Sequence, residues 1–121
     1  MYEVIFYRDK NGRSDIVDYL DELGAKAHKS KSDRINREKI LAYIGALSEC
    51  GTRIGEPMVK HIGEGIWELR PLRNRILFFC WADGKFVLLS HFVKKTQKTP
   101  LRELARAKRR MKDFMERSSG R

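Results

Sequence analysis

The chain has 121 residues, 41% of them hydrophobic, and a formal net charge of +10 at pH 7. This size allows one modest hydrophobic core, so we predict a single domain over residues 1–121. No apolar run reaches the ~18 residues that a membrane-spanning helix needs, and residues near Met1 show no secretion signal. We therefore expect a cytoplasmic protein with no membrane partner, in which Cys50 and Cys80 are reduced structural thiols.

The positive charge is concentrated near the carboxyl terminus. Residues 94–121 hold eleven Lys or Arg against three Asp or Glu, which accounts for +8 of the total charge. Charge of this sign and density attracts phosphate groups and predicts a nucleic-acid partner. A membrane-surface helix is disfavoured, because the apolar stripe of residues 100–116 is typical of a helix that faces a protein core.

The first fifty residues predict one strand and two helices. Residues 2–7 are aromatic and β-branched, as in a strand, and a turn follows. Ser14 and the acids after it begin a helix that we expect to end at Gly24, and a second helix spans about Lys31–Cys50. The side chains expected to face the core from the second helix are those of Ile40, Tyr43, Ile44 and Leu47.

The next segment predicts an antiparallel meander of three strands: Ile66–Arg70, Arg75–Trp81 and Phe86–Val93. Asp83-Gly84 predicts a two-residue type I′ turn between the last two strands, with positive φ at both residues. Those two strands are apolar on both faces, so we expect them at the centre of the sheet with helices on one side and another layer on the other.

A final helix is predicted over about residues 100–116, with Thr99 as its cap, Pro100 in its first turn and the last few residues disordered. The element order is then β-α-α-β-β-β-α. This order predicts a small α+β fold in which helices pack on an antiparallel meander sheet.

Several common kinds of site are not indicated by the sequence. The three histidines and two cysteines show none of the spacings of zinc or iron–sulfur sites. The glycine-rich segments at residues 51–55 and 63–65 lack the ending of a phosphate-binding loop and are interpreted as turns. We therefore expect neither a metal nor a cofactor.

Five cations lie at predicted strand ends: Arg70, Arg73, Arg75, Lys94 and Lys95. In an antiparallel meander these ends meet at one edge, so we expect a cationic rim there. Metal-free RNA cleavage by the ribose 2′-OH needs a base, an acid and positive charge on the developing phosphorane. Arginine clamps phosphate oxygens, and a lysine among other cations loses its proton more readily. The rim equally fits phosphate binding without chemistry.

Two stretches of the sequence carry a family resemblance. Residues 92–100, Phe-Val-Lys-Lys-Thr-Gln-Lys-Thr-Pro, and residues 65–70, Gly-Ile-Trp-Glu-Leu-Arg, closely resemble the signature stretches of the phage-derived Gp49-like, HigB-type toxins of the RelE/ParE superfamily. The opening strand, the helix start at Ser14-Asp15 and the Ala105-Arg106 region are also similar to that family. The resemblance covers nearly the whole chain and implies a RelE-like fold.

The resemblance also implies an activity and partners. It implies a compact toxin that enters the ribosomal A site, cuts mRNA there and is neutralised by a helix-turn-helix antitoxin. By residue match, Arg70 and Arg75 would hold the scissile phosphate, and Lys94 or Lys95 would stabilise charge or transfer protons. Several relatives place a Tyr or His near the carboxyl terminus for proton transfer. No Tyr follows Tyr43 in this chain, and no His follows His91. His91 or a lysine would then take that role.

Other residues are candidates for RNA contact: Lys60, Arg73, Lys98, Arg102 and Arg106. On the last helix, Arg109 and Arg110 extend the same basic face, for which simple solvation is the competing interpretation. Lys60 and His61 fall in a predicted loop that could border the site. Trp67 and Trp81 could stack on bases, but packing in the core is favoured for both because each lies in an apolar strand.

Two other functions remain open at this point. One is a non-enzymatic DNA gyrase inhibitor like the ParE branch of the superfamily, and the other is a nucleic-acid-binding module without catalysis. In each of the toxin hypotheses an acidic antitoxin segment is expected to cover the rim, because a field of this size favours a partner of complementary charge.

Overall fold

The computed structural model describes residues 1–119, which form a mixed α+β fold and so confirm the predicted fold class. In chain order its elements are β1 (Glu3–Phe6), α1 (Asp15–Lys26), α2 (Lys31–Cys50) with a short 3₁₀ turn after it (Gly51–Ile54), β2 (Val59–Gly63), β3 (Ile66–Leu69), β4 (Asn74–Cys80), β5 (Lys85–Val93) and α3 (Leu101–Ser119).

All five strands join one sheet in the order β1-β5-β4-β3-β2. β1 runs parallel to β5, and the other pairs are antiparallel. The predicted three-stranded meander therefore has a fourth strand, β2, in a segment that the sequence had suggested was a loop. β2 lies at the edge of the sheet, where Lys60 and His61 are both exposed, so the alternation of apolar and polar residues that marks a half-buried strand is weak.

Helices cover both faces of the sheet. α1 and α2 pack on one face, and α3 packs on the other. The first core includes Ile16, Leu20, Ile40, Leu47, Phe78 and Leu88, and the second includes Ile66, Leu77, Val87, Leu89 and Ala107. This arrangement confirms that β4 and β5 are central strands, with α3 as the layer opposite the first two helices.

Gly24 does not end the first helix as expected. Ser14 accepts a hydrogen bond from the Val17 amide at 3.3 Å and caps α1 as predicted, but α1 continues to Lys26. An ideal Cβ at Gly24 would lie 3.1 Å from Arg37 Nε of α2, and that nitrogen donates to the Leu20 carbonyl at 3.1 Å. Gly24 thus makes room for a contact between α1 and α2.

The β4–β5 hairpin is present, but the predicted type I′ turn is wrong. The residues with positive φ are Ala82 at 55° and Gly84 at 73°, whereas Asp83 is not among them. The Trp81 amide donates to the Lys85 carbonyl at 2.9 Å, so three residues connect the strands. The Asp-Gly pair signals the turn correctly but places its first left-handed residue one position too late.

The final helix differs from its prediction at both ends. α3 begins at Leu101, after Pro100, and extends to Ser119 instead of about residue 116. The Thr99 hydroxyl, expected to cap this helix, donates instead to Glu68 Oε2 at 2.7 Å. The disorder expected for the last residues concerns Gly120 and Arg121, which lie outside the described part of the chain.

Within residues 1–119, no helix is both long enough and apolar enough to cross a membrane. Cys50 and Cys80 are free thiols, as expected. Both are exposed, so the packing role that the sequence suggested for them is wrong. Cys50 is the last residue of α2, and Cys80 is the last residue of β4.

Candidate active site

The cations at the strand ends meet at one edge of the sheet. The Lys94 amide donates to the Arg73 carbonyl at 2.7 Å, and Arg73 Nη2 donates back to the Lys94 carbonyl at 2.9 Å. Arg75 faces Phe92 in the β4–β5 register, and the Arg70 amide donates to the Met58 carbonyl at 2.9 Å. Leu69 of β3 pairs with Ile76 of β4, so the end of β3, the start of β4 and the end of β5 lie together, which is the edge expected from the meander.

A buried carboxylate organises this edge. Glu68 of β3 is only 2% exposed, and its Oε1 lies 2.9 Å from Arg70 Nε and 3.9 Å from Arg75 Nε. A buried charge needs partners of opposite charge, and the two arginines supply them. Glu68 was not among the predicted site residues. The available signal was a carboxylate inside the apolar strand Ile66–Leu69, two residues before Arg70.

The loop that follows β5 closes over this carboxylate. Thr99 Oγ1 donates to Glu68 Oε2 at 2.7 Å and ties the loop to β3. A cavity of about 10 Å³ lies beneath residues 94–100 and is lined by Glu68, Arg75 and Phe92. That volume suits about one water molecule. Lys94 is half-buried beside it, whereas Lys95 and Lys98 extend from the loop into solvent.

An open groove of about 900 Å³ lies on the outer side of the same loop. Lys95, Lys98 and Arg102 line it together with Phe92 and the exposed Leu101. The groove is large enough for a nucleotide. The loop of residues 94–100 separates it from the small cavity that Glu68 and Arg75 line.

Arg75 is the most constrained cation of the rim. Its side chain is 11% exposed, and Nη1 donates to the carbonyls of Leu72 and Asn74 at 3.0 and 2.7 Å. Burial lowers its pKa, and the nearby Arg70 and Arg73 lower it further, while Glu68 acts in the opposite direction. A guanidinium stays charged at neutral pH, so Arg75 presents a fixed positive charge in a defined direction.

His91 is not part of this rim. Its ring stacks on Tyr19 of α1 with 4.1 Å between centroids, on the sheet face opposite Arg75. His91 Nε2 lies 2.9 Å from Asn74 Oδ1. Burial lowers the pKa of His91 to about 4, with Asp15 opposing and Arg106 reinforcing the shift. The ring is neutral at pH 7 and lies away from the groove, so the geometry gives it a structural role.

Four arginines in the first half of α3 divide into two groups. Arg102 and Arg109 are exposed. In contrast, Arg110 Nη1 donates to Asp15 Oδ2 at 2.6 Å and to the Leu89 carbonyl at 3.0 Å. Arg106 pairs with Glu103 and lies 4.0 Å from Asp15. Only the first group faces solvent as an RNA-contacting surface requires.

Arg106 and Arg110 also serve the open edge of β5. β1 pairs with β5 only as far as Leu88, so the carbonyls beyond it lack a strand partner there. Arg110 Nη1 donates a hydrogen bond to the Leu89 carbonyl, and Arg106 Nη2 lies 3.5 Å from the His91 carbonyl. Two arginines expected to contact RNA therefore connect α3 to the sheet.

The remaining candidates lie around β2 and β3. Lys60 is exposed and faces Glu68 in the β2–β3 register, which places it beside the rim. His61 packs its ring on Trp67 at 4.7 Å. Trp67 joins the core under α1 and α2, and Trp81 packs edge-on against an aromatic ring of α3. Both tryptophans thus pack in the protein, the favoured interpretation of the sequence.

In the part of the chain that the structure describes, no group of three or more His, Cys, Asp or Glu side chains could hold a metal ion. The functional groups at the rim are guanidinium, ammonium and hydroxyl groups around one buried carboxylate. These groups can bind a phosphate, stabilise added negative charge and exchange protons.

The chain matches a known protein family. The model of the family described as Phage derived protein Gp49-like matches residues 18–112, which is well over half of the chain. The match extends from α1 through α2 and the four antiparallel strands into α3, and it includes the whole rim. No curated protein matches the chain significantly.

Proposed function

Because the chain belongs to the phage-derived Gp49-like family, part of the RelE/HigB-like toxin group, we propose that it is a type II toxin that cleaves mRNA on the ribosome. In this proposal the cleavage needs no metal, takes place in the cytoplasm and inhibits translation. A helix-turn-helix antitoxin neutralises the protein.

One observation carries the proposal: Arg70 and Arg75 converge on Glu68, and the loop of residues 94–100, which bears Lys94, Lys95 and Lys98, covers this carboxylate. A carboxylate that holds two guanidinium groups fixes their direction before substrate arrives. Fixed donors of this kind stabilise charge that develops in a transition state, because they need no reorganisation during the reaction. This is the requirement of RNA cleavage through a phosphorane.

The reaction assigned to this site is an internal transfer within the RNA. The ribose 2′-oxygen attacks the adjacent phosphorus, the bond from phosphorus to the 5′-oxygen breaks, and a 2′,3′-cyclic phosphate results. One proton leaves the 2′-OH and one reaches the departing 5′-oxygen. Arg70 and Arg75 bind the non-bridging phosphate oxygens, and Lys94 or Lys95 exchanges the protons.

Primer extension on a defined mRNA in a translating extract tests this proposal. The wild-type protein is expected to produce new 3′ ends inside translated codons, and Arg70→Ala is expected to abolish them. Lys95→Ala is a second test, because Lys95 is exposed and its loss does not leave a buried charge unpaired. Lys39→Ala is the matched control: it removes an exposed cation of α2, on the other side of the sheet.

Circular dichroism of each variant must show the wild-type fold for the comparison to count. Cleavage at the wild-type rate by both Arg70→Ala and Lys95→Ala contradicts the assigned site. Intact mRNA at toxic concentrations of the wild-type protein contradicts the nuclease proposal, and inhibition of gyrase supercoiling in the same preparation would support the ParE-like alternative.

A further inference from the structure

A second surface lies next to the rim, on the side of α2. It is an open groove of about 550 Å³ between the start of α2 and the turn that joins β3 to β4. Three apolar residues of this groove are exposed: Ile35 at 42%, Leu72 at 50% and Val93 at 41%. A cluster of exposed apolar side chains on a small domain is typical of a binding surface.

Leu72 carries a backbone cost as well as an exposure cost. Its φ is +57°, a left-handed conformation that is unfavourable for a residue with a Cβ atom. The turn thereby presents Leu72 at its tip, although the exposed side chain gains little from burial within the domain. A strained backbone that holds an apolar side chain in solvent is explained if a binding partner covers that side chain.

The charges around the groove indicate an acidic partner. Lys31 and Arg73 line it, and within residues 1–119 no acidic side chain does. Arg73 also donates to the Lys94 carbonyl, so the groove is continuous with the rim. A segment bound in the groove can therefore continue over the candidate active site.

The floor of the groove is poorly suited to reading a nucleobase. Asn36 Nδ2 donates to the Tyr19 hydroxyl at 3.0 Å, and Asn74 Nδ2 donates to Asn36 Oδ1 at 2.7 Å. The Tyr19 ring already stacks on His91. Because base recognition needs free amide groups and aromatic faces, the floor favours a partner that is held by apolar contacts.

We propose that this groove is the docking site of an acidic, amphipathic segment of the antitoxin. Its apolar side chains pack between Ile35 and Leu72, and its carboxylates pair with Lys31 and Arg73. The segment then continues across the rim and blocks the entry of RNA. The identity of the partner as the antitoxin rests on the proposed function, whereas the acidic and apolar character of the segment rests on the groove.

The test measures the affinity of the full-length protein for the purified helix-turn-helix antitoxin of the proposed system, by isothermal titration calorimetry. Ile35→Asp is expected to raise the Kd at least tenfold, because it places a carboxylate among apolar and acidic groups of the partner. Leu41→Asp is the matched control: it lies on the same helix with 41% exposure but outside the groove, and it should leave the Kd unchanged. Lys31→Glu should also raise the Kd.

RNA cleavage without the antitoxin separates this proposal from the nuclease proposal. Ile35→Asp is expected to cleave RNA like the wild type and to resist inhibition by the antitoxin. If Ile35→Asp weakens antitoxin binding but the wild-type protein does not cleave RNA, the docking proposal is supported and the nuclease proposal is wrong. Three outcomes would overturn the docking site. The first is an unchanged Kd for Ile35→Asp, and the second is absence of antitoxin binding by the wild-type protein. The third is slower RNA cleavage by Ile35→Asp with unchanged antitoxin binding, which would assign the groove to RNA.

Discussion

Glu68 and Arg70 stand two residues apart at the end of β3, and Oε1 of the one lies 2.9 Å from Nε of the other. The carboxylate is buried, whereas the guanidinium is 23% exposed. The pair therefore connects the interior of the sheet to the rim: the buried carboxylate of Glu68 fixes the position of the Arg70 guanidinium, which solvent can reach.

Glu68→Gln is expected to lower the free energy of unfolding by about 3 kcal/mol, because it leaves two partly buried guanidinium groups without a charged partner. Urea denaturation monitored by tryptophan fluorescence measures this change. Glu64→Gln is the control, since Glu64 pairs with Lys108 at the surface and such a pair contributes about 0–1 kcal/mol. If the two variants were equally stable, the ion pairs of Glu68 with Arg70 and Arg75 would contribute no more to stability than the surface pair of Glu64.

Arg75→Lys is expected to reduce the rate of RNA cleavage roughly 100-fold while RNA affinity changes little. The charge is kept, but the forked guanidinium that bonds to two carbonyls and faces Glu68 is lost. Single-turnover cleavage and filter binding measure the two quantities separately. A loss of RNA affinity with an unchanged cleavage rate at saturating protein would indicate that Arg75 contributes to binding alone.

Stability should fall as the pH falls from about 6.5 to about 4. The folded pKa of His91 is about 4, below its ordinary value of 6.5, so in this range the unfolded chain binds a proton that the folded chain does not. Linkage then removes up to about 3 kcal/mol of stability, all of which is present above pH 6.5.

Urea denaturation at pH 7.0 and pH 4.5 tests this dependence. His91→Phe keeps a ring to stack on Tyr19 and is expected to flatten the pH dependence between these values. His28→Gln, which changes an exposed histidine, should leave the dependence as in the wild type. An unchanged slope in His91→Phe would assign the effect to carboxylates.

Two arginines of α3 are expected to give opposite results. Arg110→Ala should lower the free energy of unfolding by about 1–3 kcal/mol, because it loses hydrogen bonds to Asp15 and to the Leu89 carbonyl. Arg102→Ala should leave stability unchanged and reduce the slope of log K against log salt for single-stranded RNA by roughly 0.7. Urea denaturation and RNA binding at several salt concentrations measure both effects, and an unchanged slope would show that Arg102 makes no phosphate contact.

Local patterns predicted much of this fold. The Ser14 cap of α1, the apolar face of α2 and the two central strands β4 and β5 follow from residue types within a few positions of each other. The convergence of Arg70, Arg75 and Lys94 followed from the meander, because antiparallel neighbours must return to the same edge. These features depend on periodicity and chain direction, which a single sequence records.

Other features depend on contacts that the sequence does not show. The length of α1 past Gly24 depends on Arg37 of another helix. The hydroxyl of Thr99 is drawn from the helix cap to Glu68, which is distant in sequence. Arg106 and Glu103 resemble an ordinary surface pair in the sequence, and only the open edge of β5 gives Arg106 its structural position. Distant partners of this kind override local preference.

The capped edge of β5 restricts how another chain can associate with the sheet. A partner that bound by adding a strand there would need the carbonyls of Leu89 and His91, and the guanidinium groups of Arg110 and Arg106 already approach them. Strand addition therefore requires α3 to detach first. α3 thus protects this edge of the sheet from edge-to-edge aggregation. Truncation of the chain before Arg106 would leave the β5 carbonyls free to pair with a strand of another molecule.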